Sequence, residues 1–582
     1  MVEKADIPSR LALENEIASE PAGLPELTRR QSELIAALFS DASKLHQDGR
    51  IREAEYVYKQ ILAARPDHFD CMHALGVALH QLGDHAQAVR LIGLALKQNP
   101  RDAIALNNLG SALAVQGRLA EALVSFSSAV AARPDYAEAY VHCSGVLREL
   151  GRDAEAIEGY DHALALRPDL AEAHCSRGTA LANLRRLDEA IQSYDRALKL
   201  SPDFAEAHCG RGIALAELDR IDEALDGFAK AQSLRPDYAE AHVNEATYRL
   251  LLGDFERGFE KYEWRWQTAR FKTNKRSFAQ ALWRGSDDIA RKTILLYGEQ
   301  GFGDTIQFAR YVPLVAALGA RIVLEVPGPL HALMVSLLPN LPPSLPGQPQ
   351  IVAAGDPLPD FDLQCPLLSL PLAFRTRLDT IPCDSPYLSA PAEKAAAWRD
   401  RLGAHARPRI GLVWAGNPRK DQPHIHRLDH ERSLALDQLA PLFEVDACSF
   451  YSLQKGDDAQ RQLREGPWRD RVVDFTDDLH DFSDTAALIE NLDLVISVDT
   501  SVLHLAGALG KSVWLMNRYN TCWRWLRVRD DSPWYPSLRL FRQNAARDWE
   551  PVIGRITAAL RDHVRGFNEE AARRGLLSHA PD

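Results

Sequence analysis

The chain lacks any run of 18 or more apolar residues, which removes a membrane-spanning helix from consideration. Its first residues, MVEKADIPSRLALENEIASE, lack the apolar segment of a secretion signal, so a cytoplasmic location is expected. Basic residues are in the minority, 68 Lys and Arg against 80 Asp and Glu, and the formal net charge is -12. A surface that neutralises phosphates along a nucleic acid needs the opposite balance, so no nucleic-acid partner is expected. Cysteine is sparse. The eight thiols (Cys71, Cys143, Cys175, Cys209, Cys365, Cys383, Cys448 and Cys522) show no CxxC or CxH spacing, which excludes a zinc site and a disulfide framework and suits a reducing compartment. What remains is ordinary globular composition over 582 residues, 46% hydrophobic and 25% charged, enough for several domains.

The first half is periodic. Pro66, Pro100, Pro134, Pro168, Pro202 and Pro236 recur every 34 residues, mostly followed by Asp. In the same frame Gly76, Gly110, Gly178 and Gly212 share one position. Ala88, Ala122, Ala156, Ala190 and Ala224 share a second, and Ala95, Ala129, Ala163, Ala197 and Ala231 a third. Small residues at these places let two helices approach closely, and each proline ends the second helix of a unit. The pattern resembles the tetratricopeptide repeat, with six clear units and a degenerate last one in which Ala246 and Gly258 replace Gly and Ala. A repeat array exposes a concave face, so a protein or peptide partner is expected there. Tyr140, His174, His208 and His242 also recur, as do Cys175 and Cys209. Neighbouring repeats hold such residues roughly 10 Å apart, too far for shared metal ligation, so they read as packing. The array is also similar to that of eukaryotic-type protein O-GlcNAc transferases. The position of their asparagine ladder holds Ala74, Asn108, His142, Ser176, Gly210 and Asn244 here.

After Gly253 the chain turns aromatic and basic, and Trp264, Trp266 and Trp283 are expected to plug the end of the array. Strands and helices then alternate, as in α/β domains. Thr293–Tyr297 reads as a buried strand that ends in Gly298-Glu299-Gln300-Gly301-Phe302-Gly303-Asp304-Thr305 and a helix, followed by a strand over 321–326. These glycines do not spell GxGxxG, so no dinucleotide fingerprint is present. Gly510-Lys511-Ser512 imitates the end of a Walker A motif, but Leu505 stands where its first glycine belongs. A second lobe opens with the strand RIGLVW and the turn Ala415-Gly416-Asn417-Pro418. The stretch 492–515 writes strand, turn, helix and strand, with Asp499 placed to cap a helix that Gly510 stops. Such a turn offers backbone N–H groups, hydroxyls and His504 to an anion.

Two of these segments, GEQGFGDTIQFARYVP and VISVDTSVLHLAGALGKSVW, resemble the paired signatures of family 9, heptosyltransferase-like glycosyltransferases. With the repeats in front, the chain is similar to bacterial tetratricopeptide proteins that carry such a domain. The resemblance implies an all-α repeat superhelix followed by an α/β domain of GT-B type, two Rossmann-like lobes facing each other. The domains would be a mobile leader (1–32), the array (33–270), a junction (271–290), an acceptor-side lobe (291–390), a nucleotide-sugar-side lobe (391–566) and a polar tail (567–582). It implies Asp304 as general base, with Glu299 next in line. Asp499, Thr500, Ser501 and His504 would hold the donor diphosphate, with Asn417 in a phosphate-contacting loop and Gln454 and Lys455 at the nucleoside. Gln300, Gly303 and Arg432 are further candidates. Where the family usually has Gly after Asp-Thr, this chain has Ser501. The implied function is inverting transfer from a nucleotide sugar, a co-substrate, with no other cofactor and no metal. One base and one anion cradle suffice for a direct displacement. The acceptor would be a protein recruited by the repeats. A glycan or lipopolysaccharide-core acceptor, and a non-catalytic scaffold with a degenerate transferase fold, remain as alternatives. For Asp304 the alternative is a helix cap; for Arg432, a surface cation.

Overall fold

The computed structural model describes residues 29–272, 275–343, 347–417 and 429–573. The chain divides into two compact units, Met1–Leu234 and Arg235–Asp582.

The first unit is all helix among its described residues, an array of helix pairs from Arg29–Gln47 with Ile51–Ala64 to Ala205–Glu217 with Ile221–Leu234. The small residues do what their period implies. A Cβ on Gly110 would lie 2.7 Å from the Phe126 ring and one on Gly76 2.5 Å from Ile92, so each glycine receives the large side chain of the facing helix. Ala88, Ala122, Ala156, Ala190 and Ala224 are fully buried along the same seam. The turn inside each pair needs a left-handed residue, supplied by Gly83, Gly117 and Gly151. Arg185 and Asp219 adopt the same conformation at a cost of about 1–2 kcal/mol each. The recurring histidines act locally. His174 and His208 place Nε2 3.0 and 2.9 Å from the carbonyls of Pro168 and Pro202, pinning each helix to the turn before it. Burial pushes the Cys175 thiol up to about 12, so it is a packing group. Asn108, at the ladder position, is already bound to His73 Nε2 at 2.9 Å. The first described helix starts at Arg29, so residues 29–32 of the expected leader are helical. The rest of that leader lies outside the described residues.

The second unit starts with the last repeat pair, Ala239–Leu251 and Phe255–Tyr262, and not at a junction over 271–290. Packing explains the shift. Phe255 and Phe259 lie 6.3 and 5.7 Å from the Trp523 ring, and Phe255 lies 5.8 Å from Trp534. Of the tryptophans expected to plug the array, Trp264 packs on the last repeat. Trp264 stacks on His242 at 4.0 Å, Trp266 lies under Arg265, and Trp283 is buried beside Phe374.

Two parallel sheets follow. The first contains β1 (Ala281–Leu282), β2 (Thr293–Tyr297), β3 (Arg321–Val326), β4 (Gln350–Ala353) and β5 (Leu363–Pro366), in the order β1-β5-β2-β3-β4. It therefore begins ahead of residue 291, and two of its strands lie in the proline-rich stretch that showed no strand pattern. The second contains β6 (Arg409–Val413), β7 (Ser449–Ser452), β8 (Val472–Asp474), β9 (Leu494–Val498), β10 (Val513–Asn517) and β11 (Leu538–Arg542), in the order β11-β10-β9-β6-β7-β8. Counted from β6, that is the doubly wound order 3-2-1-4-5-6. β2, β6, β9 and β10 are buried along their whole length, as strands covered on both faces must be. The final helix, Glu550–Arg573, runs past residue 566, so the start of the expected polar tail is helical.

Candidate functional site

In a doubly wound sheet the loops leaving the carboxyl ends of adjacent strands diverge where the winding reverses, which opens a crevice there. In the second sheet this falls between β6 and β9, and the loops are Trp414–Asn417 and Asp499–Ser501. In the first sheet it falls between β2 and β5, and the loop is Gly298–Gly303. The two signatures read from the sequence are these switch-point loops.

They meet. A Cβ on Gly303 would stand 2.8 Å from His504 Cδ2 and 3.5 Å from the Ser501 Cα, so only glycine allows this approach. Asp304 is the third residue of the Phe302–Phe308 helix, the position from which a carboxylate reaches back to cap the helix start at Gly301. Its Oδ2 accepts from the Gly301 N–H at 3.0 Å, and its Oδ1 accepts from Arg524 Nη2. Asp499 does not cap the Ser501–Ala508 helix, because Thr500 takes that place without a side-chain capping bond. Thr500 Oγ1 lies instead 3.3 Å from Ser497 Oγ.

His504 is buried. Its Nδ1 is 2.9 Å from Tyr535 Oη, its Nε2 faces Asp499 Oδ1 at 3.8 Å, and its ring stacks on Trp525. Burial, only partly offset by Asp499, lowers it to about 4, so it is neutral at pH 7 and offers an anion an N–H rather than a charge.

Arg432 is not a bare surface cation: Nη1 donates to the Asp499 carbonyl at 2.8 Å and Nη2 to Asp429, which holds the β9 loop from behind. Gln454 is spent on its own lobe. Its Oε1 accepts from Trp414 N and Ala415 N at 3.0 and 2.9 Å, and its Nε2 donates to the Ala415 and Lys455 carbonyls at 3.0 and 2.8 Å. Its amide therefore shapes the β6 loop. Lys455 is exposed and donates to the Thr476 carbonyl. Asn417 is exposed four residues after β6, and Pro418 lies outside the described residues. Gln300 Nε2 donates to Tyr262 Oη at 3.2 Å.

Sequence reasoning missed three arginines. Arg524 sits between Trp523 and Trp525; its Nε donates to Gln307 at 2.6 Å, its Nη1 to Cys522 Sγ at 3.2 Å, and its head lies 4.4 Å over the Trp523 ring. Arg310, in the FARY part of the first signature, donates to the Trp534 carbonyl at 2.5 Å and to Tyr387 Oη at 3.2 Å. Each lobe thus sends one buried arginine into the other. Arg265, from the last repeat, reaches Glu299 at 3.0 Å and Ser369 at 2.9 Å beneath the β2 loop. Burial raises the Glu299 carboxyl to about 7 in spite of that partner. The available signal was the aromatic setting of Trp523-Arg524-Trp525, which marks a cation held on ring faces.

Among the described residues no group of three or more metal-ligating side chains occurs, and no helix is long and apolar enough to cross a membrane. One Asp-x-Asp spacing exists, Asp360-Phe361-Asp362. Asp362 Oδ2 accepts from Thr293 N at 2.7 Å, at the amino end of β2 and away from the switch-point loops.

Fold and site define a tetratricopeptide-repeat array followed by an α/β domain of parallel sheets. Residues 45–113 match the tetratricopeptide repeat family, and residues 146–184 and 186–219 match a further TPR repeat family. The chain is 28% identical over 340 residues to the protein FlbA of Caulobacter vibrioides, covering 54% of each, so it spans about half the length of the curated relative it matches. Among solved structures it resembles TTC0263, a TPR protein of Thermus thermophilus, at 30% identity over 31% of this chain and 99% of that one, with a TM-score of 0.27. It also resembles Pseudomonas aeruginosa PilF, at 21% identity over 37% and 98%, with a TM-score of 0.34.

Proposed function

We propose that the second unit is an inverting, metal-independent glycosyltransferase of GT-B type that uses a nucleotide sugar, and that the repeats recruit a protein acceptor. The observation that carries this reading is the meeting of the β2 and β9 switch-point loops. It sets Gly303, the neighbour of Asp304, against Ser501 and the neutral His504, at the loop that also carries Thr500. An acceptor hydroxyl gives its proton to Asp304 while its oxygen attacks the anomeric carbon. The bond from that carbon to the diphosphate breaks, and the electron pair leaves with the nucleoside diphosphate. Hydroxyls, helix-start N–H groups and the His504 N–H receive the departing charge. Gln454 and Arg432 act one step back, holding the β6 and β9 loops in shape.

The engagement of Asp304 by Arg524 favours a second reading, a non-catalytic scaffold in which that carboxylate is only structural. The full chain incubated with UDP-, ADP-, GDP- and dTDP-sugars separates the two. Release of one nucleoside diphosphate above the spontaneous rate supports the transferase. No release and no binding with any of them retires it in favour of the scaffold. Sugar found on a glycan and never on a protein would move the acceptor to the lipopolysaccharide-core alternative.

A further inference from the structure

The Asp304 to Arg524 pair poses a problem that the proposed chemistry alone does not answer: both oxygens of the general base are already engaged, Oδ1 by the Arg524 guanidinium and Oδ2 by the Gly301 N–H. We propose that Arg524 is the cation for the donor diphosphate, and that Asp304 is its resting counter-ion, freed to act as base only when the diphosphate takes Arg524 away. This rests on the transferase reading above.

Four observations lead there. Arg524 is 9% exposed, so its charge is expensive unless an anion meets it. A guanidinium has five N–H donors. Those of Arg524 reach Gln307, Asp304 and the Cys522 sulfur, the last a weak acceptor, which leaves donors unused among the described residues. A diphosphate offers oxygens to fill them, in the forked geometry that arginine prefers. Arg524 belongs to the segment after β10, in the lobe whose β9 loop presents Thr500 and Ser501. Its partner Asp304 belongs to the other lobe, so the exchange of partners takes place where donor and acceptor must meet. Finally, the packing of Arg524 on Trp523 and near Phe308 fixes the guanidinium while either anion occupies it.

The order of events follows from the charges. Without donor, Asp304 and Arg524 neutralise each other, and an acceptor hydroxyl finds no free base. Donor binding supplies a stronger anion to Arg524, and the Asp304 carboxylate turns to the acceptor. During transfer the acceptor O–H bond breaks, its proton goes to Asp304, and the new bond to the anomeric carbon forms as the diphosphate leaves on Arg524.

The test is calorimetric titration of the full-length protein with pyrophosphate, UDP, ADP, GDP and dTDP. Arg524→Gln should bind the probe the parent prefers about 10- to 100-fold more weakly, the range of a lost charge-assisted contact. Asp304→Asn removes the competitor for Arg524 and should bind about 10-fold more tightly, a sign that a merely structural carboxylate does not give. The double variant Asp304→Asn with Arg524→Gln leaves no lone charge in the pair, which keeps the test open should Arg524→Gln fold poorly. It should bind as weakly as Arg524→Gln alone, because the tightening needs the arginine. Equal or weaker binding by Asp304→Asn, or parental binding by the double variant, overturns the proposal and leaves the transferase reading standing. A parent that binds none of the five probes overturns both.

Discussion

Arg152 in the repeat array meets Glu155 at 2.6 Å, and Arg265 in the second unit meets Glu299 at 3.0 Å, yet the two pairs differ in kind. Arg152 and Glu155 have about half of their side-chain surface in water, 45% and 54%. Arg118 with Glu121, Arg186 with Glu189 and Arg220 with Glu223 repeat the arrangement along the array. Arg265 and Glu299 retain 0% and 4%. Exposed pairs trade one set of polar contacts for another and hold little in place. A buried pair must be satisfied or it destabilises, so its partners are locked where they stand. The array therefore rests on local apolar seams repeated along the chain, whereas the second unit uses buried arginines to fix loops brought together from distant parts of the sequence.

The most severe way to break the comparison is to cut it. A fragment of residues 235–582 should fold, because it keeps the last repeat with Phe255, Phe259 and Arg265. A fragment of residues 285–582 should be insoluble or molten, since Trp523 loses its facing rings and Glu299 its cation. Near-UV circular dichroism separates the two, and a well-folded shorter fragment would show that the last repeat is dispensable.

Arg265→Met should destabilise the second unit by about 3–5 kcal/mol in denaturant titration, the usual cost of stranding a buried charge. The loss should be smaller at pH 5 than at pH 8, because Glu299, already raised to about 7, escapes by taking up a proton.

His504→Gln gives a pH-dependent difference. His504 is lowered to about 4 from 6.5, so below 6.5 the unfolded chain takes the proton first. Its contribution is complete above 6.5 and is lost as the pH falls towards 4, by up to about 3 kcal/mol. Glu299 runs the other way: its raised carboxyl favours the folded chain at low pH and costs more as the pH rises towards 7. The parental curve is consequently flattened. The histidine is read from the stability difference between parent and variant at pH 7.5 and 4.5, which should shrink on acidification.

Arg152→Ala is the opposite extreme. Its pair is exposed, and the thermal midpoint should match that of the parent; a clear drop would mean that the surface pairs hold the array after all.

How much of this was legible in the sequence follows the same division. The repeats were readable almost to the residue, since each contact that shapes them lies within one or two periods, as Gly110 with Phe126 does. β2 and β3 were readable too, being short apolar runs buried on both faces. β4 and β5 were not, because Gln350–Ala353 and Leu363–Pro366 are brief and lie among prolines. Of the site, the switch-point loops were visible and their partners were not. Asp304 and Arg524 are 220 positions apart, and Arg265 and Ser369 are 104 apart, separations that no local pattern encodes. Gln454 carries a role that its position at a strand end did not announce, its amide closing the turn after β6.

The fusion of the last repeat to the second unit also sets how such a gene can change. Whole 34-residue units between the first and sixth pairs can be duplicated or deleted in phase, because each closes on itself through the same seam of small residues and repeats its neighbour's pattern. The pair Ala239–Leu251 and Phe255–Tyr262 is outside that freedom, since Phe255, Tyr262 and Arg265 already answer to Trp534, Gln300 and Glu299. Lineages can thus vary in repeat number, and so in what they reach, while the final unit descends with the domain it is welded to.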